Sequence, residues 1–405
     1  MMHIAAPSRT LREDDAPGTP LTVPQAQKRR RLSYVDSLRG IAVLAVFLTH
    51  STEVFRQVTP RGLWIDHLCF QLNLGRVGVV TFFAISGFLI PSSLHGRRLL
   101  GTARFLISRF FRLYPAFALS VLPSAATYVW ISHAPLTQAD VLYNFTMAPQ
   151  LFGAEMANNG YWTLAVELFF YGLCAFLFAG GVLENGFVLA CVCLLCFGVF
   201  YTSQGALMGG LLNPSLSEAA FFFYLHVACI FWGALCRRLW DGRRLEPLAA
   251  VMFGVFSAFW LLYMPLYGAK PLLLGPPDPT VDERLVAGYA IGLWIFVAGI
   301  TLLRIELRLL SWIGKISYSL YLLHQAVVLV LYRQTTRHSH LRGWHLGIYV
   351  LLSLAASIAV AAACYYTVEA PCIALGRRLI RRLEAWVGAR SLPAPAQAAR
   401  EPAAE

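Results

Sequence analysis

Ten apolar stretches recur along this chain, at roughly 38–55, 77–95, 114–133, 162–179, 186–202, 218–237, 247–265, 285–303, 316–332 and 345–366. At about 17–25 residues each, they are long enough to cross a hydrocarbon layer of roughly 30 Å. Backbone polar groups in lipid must be satisfied within their own segment, so the stretches are expected to be helices. Only 13% of the 405 residues are charged, where soluble domains carry about a quarter. The expected fold is therefore an all-α integral membrane protein of about ten transmembrane helices.

The formal net charge of +12 raises nucleic acid as a partner, but the placement of the charge argues against it. Basic residues gather in "QKRRR" (27–31), "GRRLLGTARFLISRFFR" (96–112), "CRRLWDGRR" (236–244), "RIELR" (304–308) and "GRRLIRRLE" (376–384). With ten spans, all five clusters fall on one side, which makes both termini cytoplasmic by the positive-inside rule and the chain a multi-pass protein of the cell inner (plasma) membrane. "YRQTTRHSHLR" (332–342) falls outside and is the exception. No basic stripe is interleaved with exposed aromatics, so nucleic acid is excluded and membrane lipids are the expected surroundings. The nine cysteines include "CVCLLC" (191–196). It lies mid-span among leucines without a histidine, so it reads as small apolar packing rather than a metal site.

Residues 1–33 are polar and proline-containing and read as a disordered cytoplasmic tail, not a cleavable leader. The stretch 392–405 is equally unstructured. "GRRLIRRLEAWVGAR" (376–390) has arginines flanking an apolar stripe, as an amphipathic helix on the inner membrane surface would, or as simple topology-setting charge would. Two outer loops, 134–161 and 265–284, are long enough to be functional. "NFT" (144–146) has the form of a glycosylation acceptor, a weak pattern. No internal repeat is visible, which counts against transporter folds built from inverted halves.

The first span, "YVDSLRGIAVLAVFLTHS" (34–51), carries two ionisable residues, Arg39 and His50. Eleven residues apart, they lie within about 20° of one helical face and about 16 Å apart along the axis. Arg39 alone could be a snorkelling anchor, and His50 alone a satisfied structural residue. Sharing a face at membrane depth, with Asp36 and Glu53 near the ends, they point to a site. Burial favours the neutral imidazole, which can accept a proton as a general base.

Other spans add to this. "GRVGVVTFFAISGFLIP" (75–91) has Arg76 at its outer end and Ser86 and Gly87 within, where small residues allow close helix packing. "SRFFRLYP" (108–115) puts Arg109 and Arg112 on one face at the inner surface, as a topology signal or as a grip on phosphate. "GYWTLAVELFFY" (160–171) carries Glu167 inside a span, where a carboxylate needs a partner. It could orient His50 or pair with an arginine. "WIGKISYSLYLLHQ" (312–325) places Tyr318, Tyr321 and His324 on one side of a helix.

In this order, "DSLRGIAVLAVFLTH", "VGVVTFFAISGFLI", "SRFFRLYP", "YWTLAVELFFY", "ISYSLYLLHQ" and "VEAP" (368–371) resemble the membrane acyltransferase 3 family, which includes polysaccharide and lipopolysaccharide O-acetyltransferases. The resemblance covers residues 34–383, leaving 384–405 as a cytoplasmic tail. It implies a ten-helix enzyme that moves an acyl group, most often acetyl, from cytoplasmic acyl-CoA to a hydroxyl of a carbohydrate, glycolipid or other acceptor, without a metal. The first-helix arginine and histidine associated with activity match Arg39 and His50, the RxxR motif matches Arg109 and Arg112, and the later acidic position matches Glu167. The acidic residue that some members carry before the paired phenylalanines is absent here, where Val80 and Thr81 stand.

On that basis His50, Arg39 and Glu167 are the expected catalytic residues. Arg39, Arg109 and Arg112, on a rim that also bears Arg97, Arg98 and Arg104, are expected to hold the polyanionic acyl-CoA (acetyl-CoA). Trp162, Tyr318, Tyr321 and His324 are expected to bind the acceptor, since aromatic faces pack on sugars. His50 would deprotonate the acceptor hydroxyl, with a transient acyl-histidine as the alternative. The competing class is a secondary transporter using the intramembrane Arg, His and Glu as a substrate or proton path.

Overall fold

The computed structural model describes residues 33–132, 135–208, 214–266 and 283–390. The expected tails, up to residue 32 and from 391 onward, lie outside the described residues, as does most of the 265–284 loop. Within them the chain is helical. The long helices are α1 (Ser33–Phe55), α3 (Leu74–Leu89), α4 (Arg98–Ser132), α6 (Tyr161–Ala179), α7 (Gly186–Met208), α8 (Pro214–Trp240), α9 (Pro247–Ala258), α10 (Glu283–Ala298), α11 (Arg308–Arg337), α12 (Leu346–Cys364) and α13 (Ala370–Arg390). Two short helices, α2 (Leu63–Gln71) and α5 (Gln138–Asn144), lie in connections. Nine of the described helical segments are long and apolar enough to cross a membrane, and the shorter apolar Gly186–Thr202 accounts for the tenth expected stretch. Large apolar side chains, among them Leu122, Phe176, Leu195, Val251, Leu262 and Leu351, are exposed on the outside. In water such a surface would drive association; hydrocarbon is its natural solvent.

Helix α1 packs most extensively on α11, and α3 on α8. Both crossings depend on glycine. A Cβ on Gly40 would overlap the Leu310 carbonyl, and one on Gly314 would overlap the Asp36 carbonyl. Ten residues further along each of these two helices, the His50 and His324 rings meet with centroids 5.5 Å apart. Helices α1 and α11 therefore run parallel in a constant register. At the second crossing, Gly87 faces the Ile230 carbonyl and Gly233 the Ala84 carbonyl, each closely enough to exclude a Cβ. Lipid supplies no hydrophobic drive between helices, so such backbone contact is how membrane helices gain attraction.

Two helices are longer than their apolar stretches. The chain does not break at Pro115: α4 runs on through Pro115 and Pro123 from Arg98 to Ser132. Neighbouring helices and hydroxyls can re-satisfy the carbonyls that a proline frees, which makes it tolerable in membrane helices. The expected amphipathic helix at 376–390 is present as part of α13, which continues from α12 through a π-helical turn at Tyr365–Glu369. It packs along α4, with an ion pair of 3.2 Å between Arg104 and Glu384.

The glycine positions separate close packing from mere helix propensity. Gly314→Ala is expected to cost about 1–3 kcal/mol, because backbone must move to admit the methyl. Gly172→Ala in α6, where nothing lies within 4 Å of the added atom, is expected to be neutral. Thermal unfolding of the two variants in one detergent checks this.

Candidate active site

Five helices converge on a cavity of about 230 Å³. α1 contributes Arg39, α4 Arg109 and Arg112, α6 Thr163, Glu167 and Tyr171, and α11 Ser317, Tyr318 and Tyr321, while Phe82, Phe83 and Ser86 of α3 close one wall. Residues three or four apart share a helical face, which is why Arg109 and Arg112 arrive together, and likewise Glu167 and Tyr171. Three guanidinium groups thus meet one carboxylate on the lining, with Asp36 and Glu369 in electrostatic reach of Arg39 behind it. The volume lies below the roughly 300–1,000 Å³ of pockets that enclose a drug-sized ligand. Only a slender part of a large ligand can enter.

The cations are held rigidly. Arg109 donates to the Ser93 hydroxyl at 3.2 Å, and its guanidinium lies over the rings of Phe105 (5.3 Å) and Tyr171 (5.6 Å). Its buried Nε has no protein partner. Tyr171 donates to the Glu167 carboxylate. Arg39 lies within electrostatic reach of Arg112, Asp36, Glu369 and Glu167. Of the two partners open to Glu167 in the sequence, an arginine or His50, the geometry places it among the arginines. The Tyr318 hydroxyl donates to the Leu113 carbonyl at 3.0 Å and ties α11 to α4.

His50 and His324 do not line this cavity. They form a second cluster at the other end of α1, reached through Tyr321, which lines the cavity and packs against His324 with centroids 6.1 Å apart. His50 is partly exposed and stands 3.7 Å from the Glu53 carboxylate. His324 Nδ1 lies 2.8 Å from the Tyr321 carbonyl and 3.1 Å from that of Leu320. Carbonyls only accept, so Nδ1 carries the proton and Nε2 is a bare lone pair. That Nε2 is buried with no hydrogen-bond partner.

Tyr321 is fixed by the loop before α6. Its hydroxyl is 2.8 Å from that of Thr163 and donates to the Gly160 carbonyl at 3.1 Å. The loop is docked by Asn158, whose side chain donates to the Leu322 carbonyl at 3.2 Å and accepts from the Gly160 N–H at 2.8 Å. Further out, Thr137 and Asp140 form a capping box on α5, and Asp140 also accepts from the Glu155 N–H. Hydrogen bonds from Thr137 and then from the Glu155 backbone hold the Asp140 carboxyl below the usual carboxylate range. A depressed acid stabilises the loop above the ordinary carboxylate pKa and loses that contribution only as pH falls further. Asn144 of the "NFT" sequence is buried and bonds to the Asp140 and Glu155 carbonyls and to the Ala157 N–H. It holds this loop together instead of presenting itself to solvent.

The other expected residues are dispersed. Trp162 turns from the cavity to pack on His226, centroids 4.8 Å apart. Arg104 is engaged by Glu384 and by His95, and neither Arg97 nor Arg98 lines the cavity. Cys193 donates to the Ala228 carbonyl at 3.4 Å within the α7–α8 packing. Two neighbours of the site escaped the sequence reading. Tyr171 sits four residues after Glu167, a spacing that could have revealed it. Glu369 of "VEAP" is buried and accepts from the Ser319 hydroxyl at 2.7 Å.

An apolar bundle thus encloses a cavity lined by three arginines, with a separate pair of histidines beyond it. Residues 32–366 match the acyltransferase-domain family Acyl_transf_3, and the chain belongs to that family. It is a multi-pass membrane acyltransferase. Comparison with curated proteins and with solved structures returned no match.

Asn158 makes the docking of this loop testable. Asn158→Ala leaves the Leu322 carbonyl and the Gly160 N–H without their partner and is expected to cost about 1–3 kcal/mol. Faster proteolysis within 135–160 in the folded protein is the accompanying readout.

Proposed function

We propose that this protein transfers an acyl group, most often acetyl, from cytoplasmic acyl-CoA to a hydroxyl of a carbohydrate or glycolipid acceptor. The observation that carries this reading is the meeting of Arg39, Arg109 and Arg112 at one cavity whose lining includes a single carboxylate, Glu167. Acyl-CoA bears a 3′-phosphate and a pyrophosphate, which arginine forks bind by charge-assisted bonds. The nucleotide stays at the mouth, since the cavity is too small for it, while the pantetheine arm is thin enough to enter. Both termini and the Arg39 end face the cytoplasm in this reading, and the His50 end faces the acceptor.

Tyr321 stands between the two ends, so the arm displaces it to bring the thioester within reach of His50. His50 removes the proton of the acceptor hydroxyl. The oxygen attacks the acyl carbon, the new C–O bond forms as the C–S bond breaks, and the proton passes to the departing thiolate of CoA. Glu53 orients the imidazole and stabilises its cation, as carboxylates do for catalytic histidines. His324 is a second candidate base on one observation, its buried unpartnered Nε2.

Membranes containing the full chain are given acetyl-CoA labelled in the acetyl group, and appearance of label on surface glycans is followed. Consumption of the thioester supports the reading, whereas a transporter would move solute and leave it intact. General-base assistance is worth about 10²–10⁴-fold, so His50→Ala is expected to lose transfer by that factor at normal abundance. Wild-type rates in His50→Ala with loss in His324→Ala would transfer the role of base to His324. Arg39→Ala is expected to raise the KM for acetyl-CoA more than Arg39→Lys does. Equal loss in both points instead to bidentate orientation by the guanidinium.

A further inference from the structure

A second buried cluster stands beside the histidines and takes no part in the chemistry above. Arg76 on α3 donates to Nε2 of His226 on α8 at 3.2 Å, and the Tyr289 hydroxyl of α10 lies 2.7 Å from the same nitrogen. The Arg76 guanidinium sits over three rings, Trp162 at 5.7 Å, Phe222 at 5.4 Å and Tyr289 at 5.7 Å. Among the described residues no carboxylate pairs with it. Because an arginine only donates, Nε2 of His226 accepts and its proton sits on Nδ1. That Nδ1 is buried without a partner. The cluster thus holds a half-buried cation and an unanswered donor, enclosed by aromatic faces.

Its position relates it to His50. Gly75 packs on Thr49, where a Cβ would lie 3.3 Å from the threonine methyl, so Arg76 and His50 occupy the same layer of the bundle. Phe83 lines the cavity and also touches His226, centroids 5.1 Å apart. Trp162, against which His226 packs, is followed directly by Thr163, which holds Tyr321. A half-buried cation near the outer end of a span, answered by a histidine and rings but by no carboxylate among the described residues, is a place where an anion can arrive. Of the rings around it, Tyr289 is fully buried, while Trp162 and Phe222 are partly exposed, as a ring that packs on a sugar must be.

We propose that Arg76 binds an anionic group of the acceptor, a carboxylate or a phosphate, while the partly exposed Trp162 and Phe222 pack on its sugar. The acceptor class is therefore an acidic carbohydrate, either a uronic acid or a phosphate-bearing sugar. This rests on the reading that the acceptor hydroxyl is activated at His50.

The test uses the full chain in nanodiscs and saturation-transfer NMR titrations with methyl glucuronide, glucose 1-phosphate and neutral methyl glucoside. One anionic sugar or both should bind about tenfold or more tighter than the glucoside, the worth of one charge-assisted hydrogen bond. Preference for the glucuronide alone identifies a carboxylate-bearing acceptor, and for the phosphate alone a phosphate-bearing one. Arg76→Gln should abolish the preference, and His50→Ala should keep it. Equal binding of the three sugars, no binding of any, or a preference that survives in Arg76→Gln overturns the inference. If Arg76→Gln fails to fold, Arg76→Lys, which keeps charge but not the planar fork, should bind the anionic sugar more weakly than wild type, and unchanged affinity overturns it. Acetyl-CoA turnover is followed in the same preparations. Turnover without anionic preference removes this inference and leaves the donor chemistry standing, while preference without turnover does the reverse.

Discussion

The parallel crossing of α1 and α11 is the contact on which the site depends. Backbone touches backbone where Gly40 and Gly314 face the opposite helix. That contact fixes the register for the whole length of both helices. At one end it sets Arg39 beside Ser317 and Tyr318 in the cavity, and at the other it sets His50 against His324. Neither pairing needs a direct bond of its own. A bulkier pair at the crossing would separate the helices along their length and dissolve both ends together.

The second constraint is electrostatic. Three guanidinium groups converge with one carboxylate on a cavity inside an apolar bundle. Such an arrangement is tolerated only because aromatic faces, hydroxyls and the neighbouring Asp36 and Glu369 share the cost of taking charge from water. Arg109, sandwiched between Phe105 and Tyr171, shows the device most clearly. Its position is set by the protein's own contacts. The same device recurs around Arg76, with three rings in place of two.

Much of this was legible in the sequence, for definite reasons. Spans are a property of twenty consecutive residues, so composition marks them, and the helices fall where the apolar stretches lie. Faces within one helix follow from spacing, so Arg109 with Arg112 and Tyr318 with Tyr321 are found together as expected. What spacing does not carry is the distance between helices. Arg39 and His50 share a face, yet only Arg39 reaches the cavity, because Tyr321 from another helix fills the space between. Trp162 follows the docked loop toward His226, and Arg104 is taken by Glu384 on a helix almost three hundred residues later. His226 and Tyr289 lie in ordinary-looking apolar runs. An ionisable residue at that depth was the available clue.

Tyr321 has a bearing on the membrane as well as on the chemistry. Under the proposed function, a protein taking a coenzyme from one side and a sugar from the other would be, in outline, a hole through an insulator. Tyr321, locked to Thr163 and Gly160, stands between the cavity and the histidine pair. Only a long, slim arm already bound at its charged head would prise the ring aside, and it would plug the gap as it did so. The cell's electrical potential would then be guarded by the substrate itself at the moment the barrier opens.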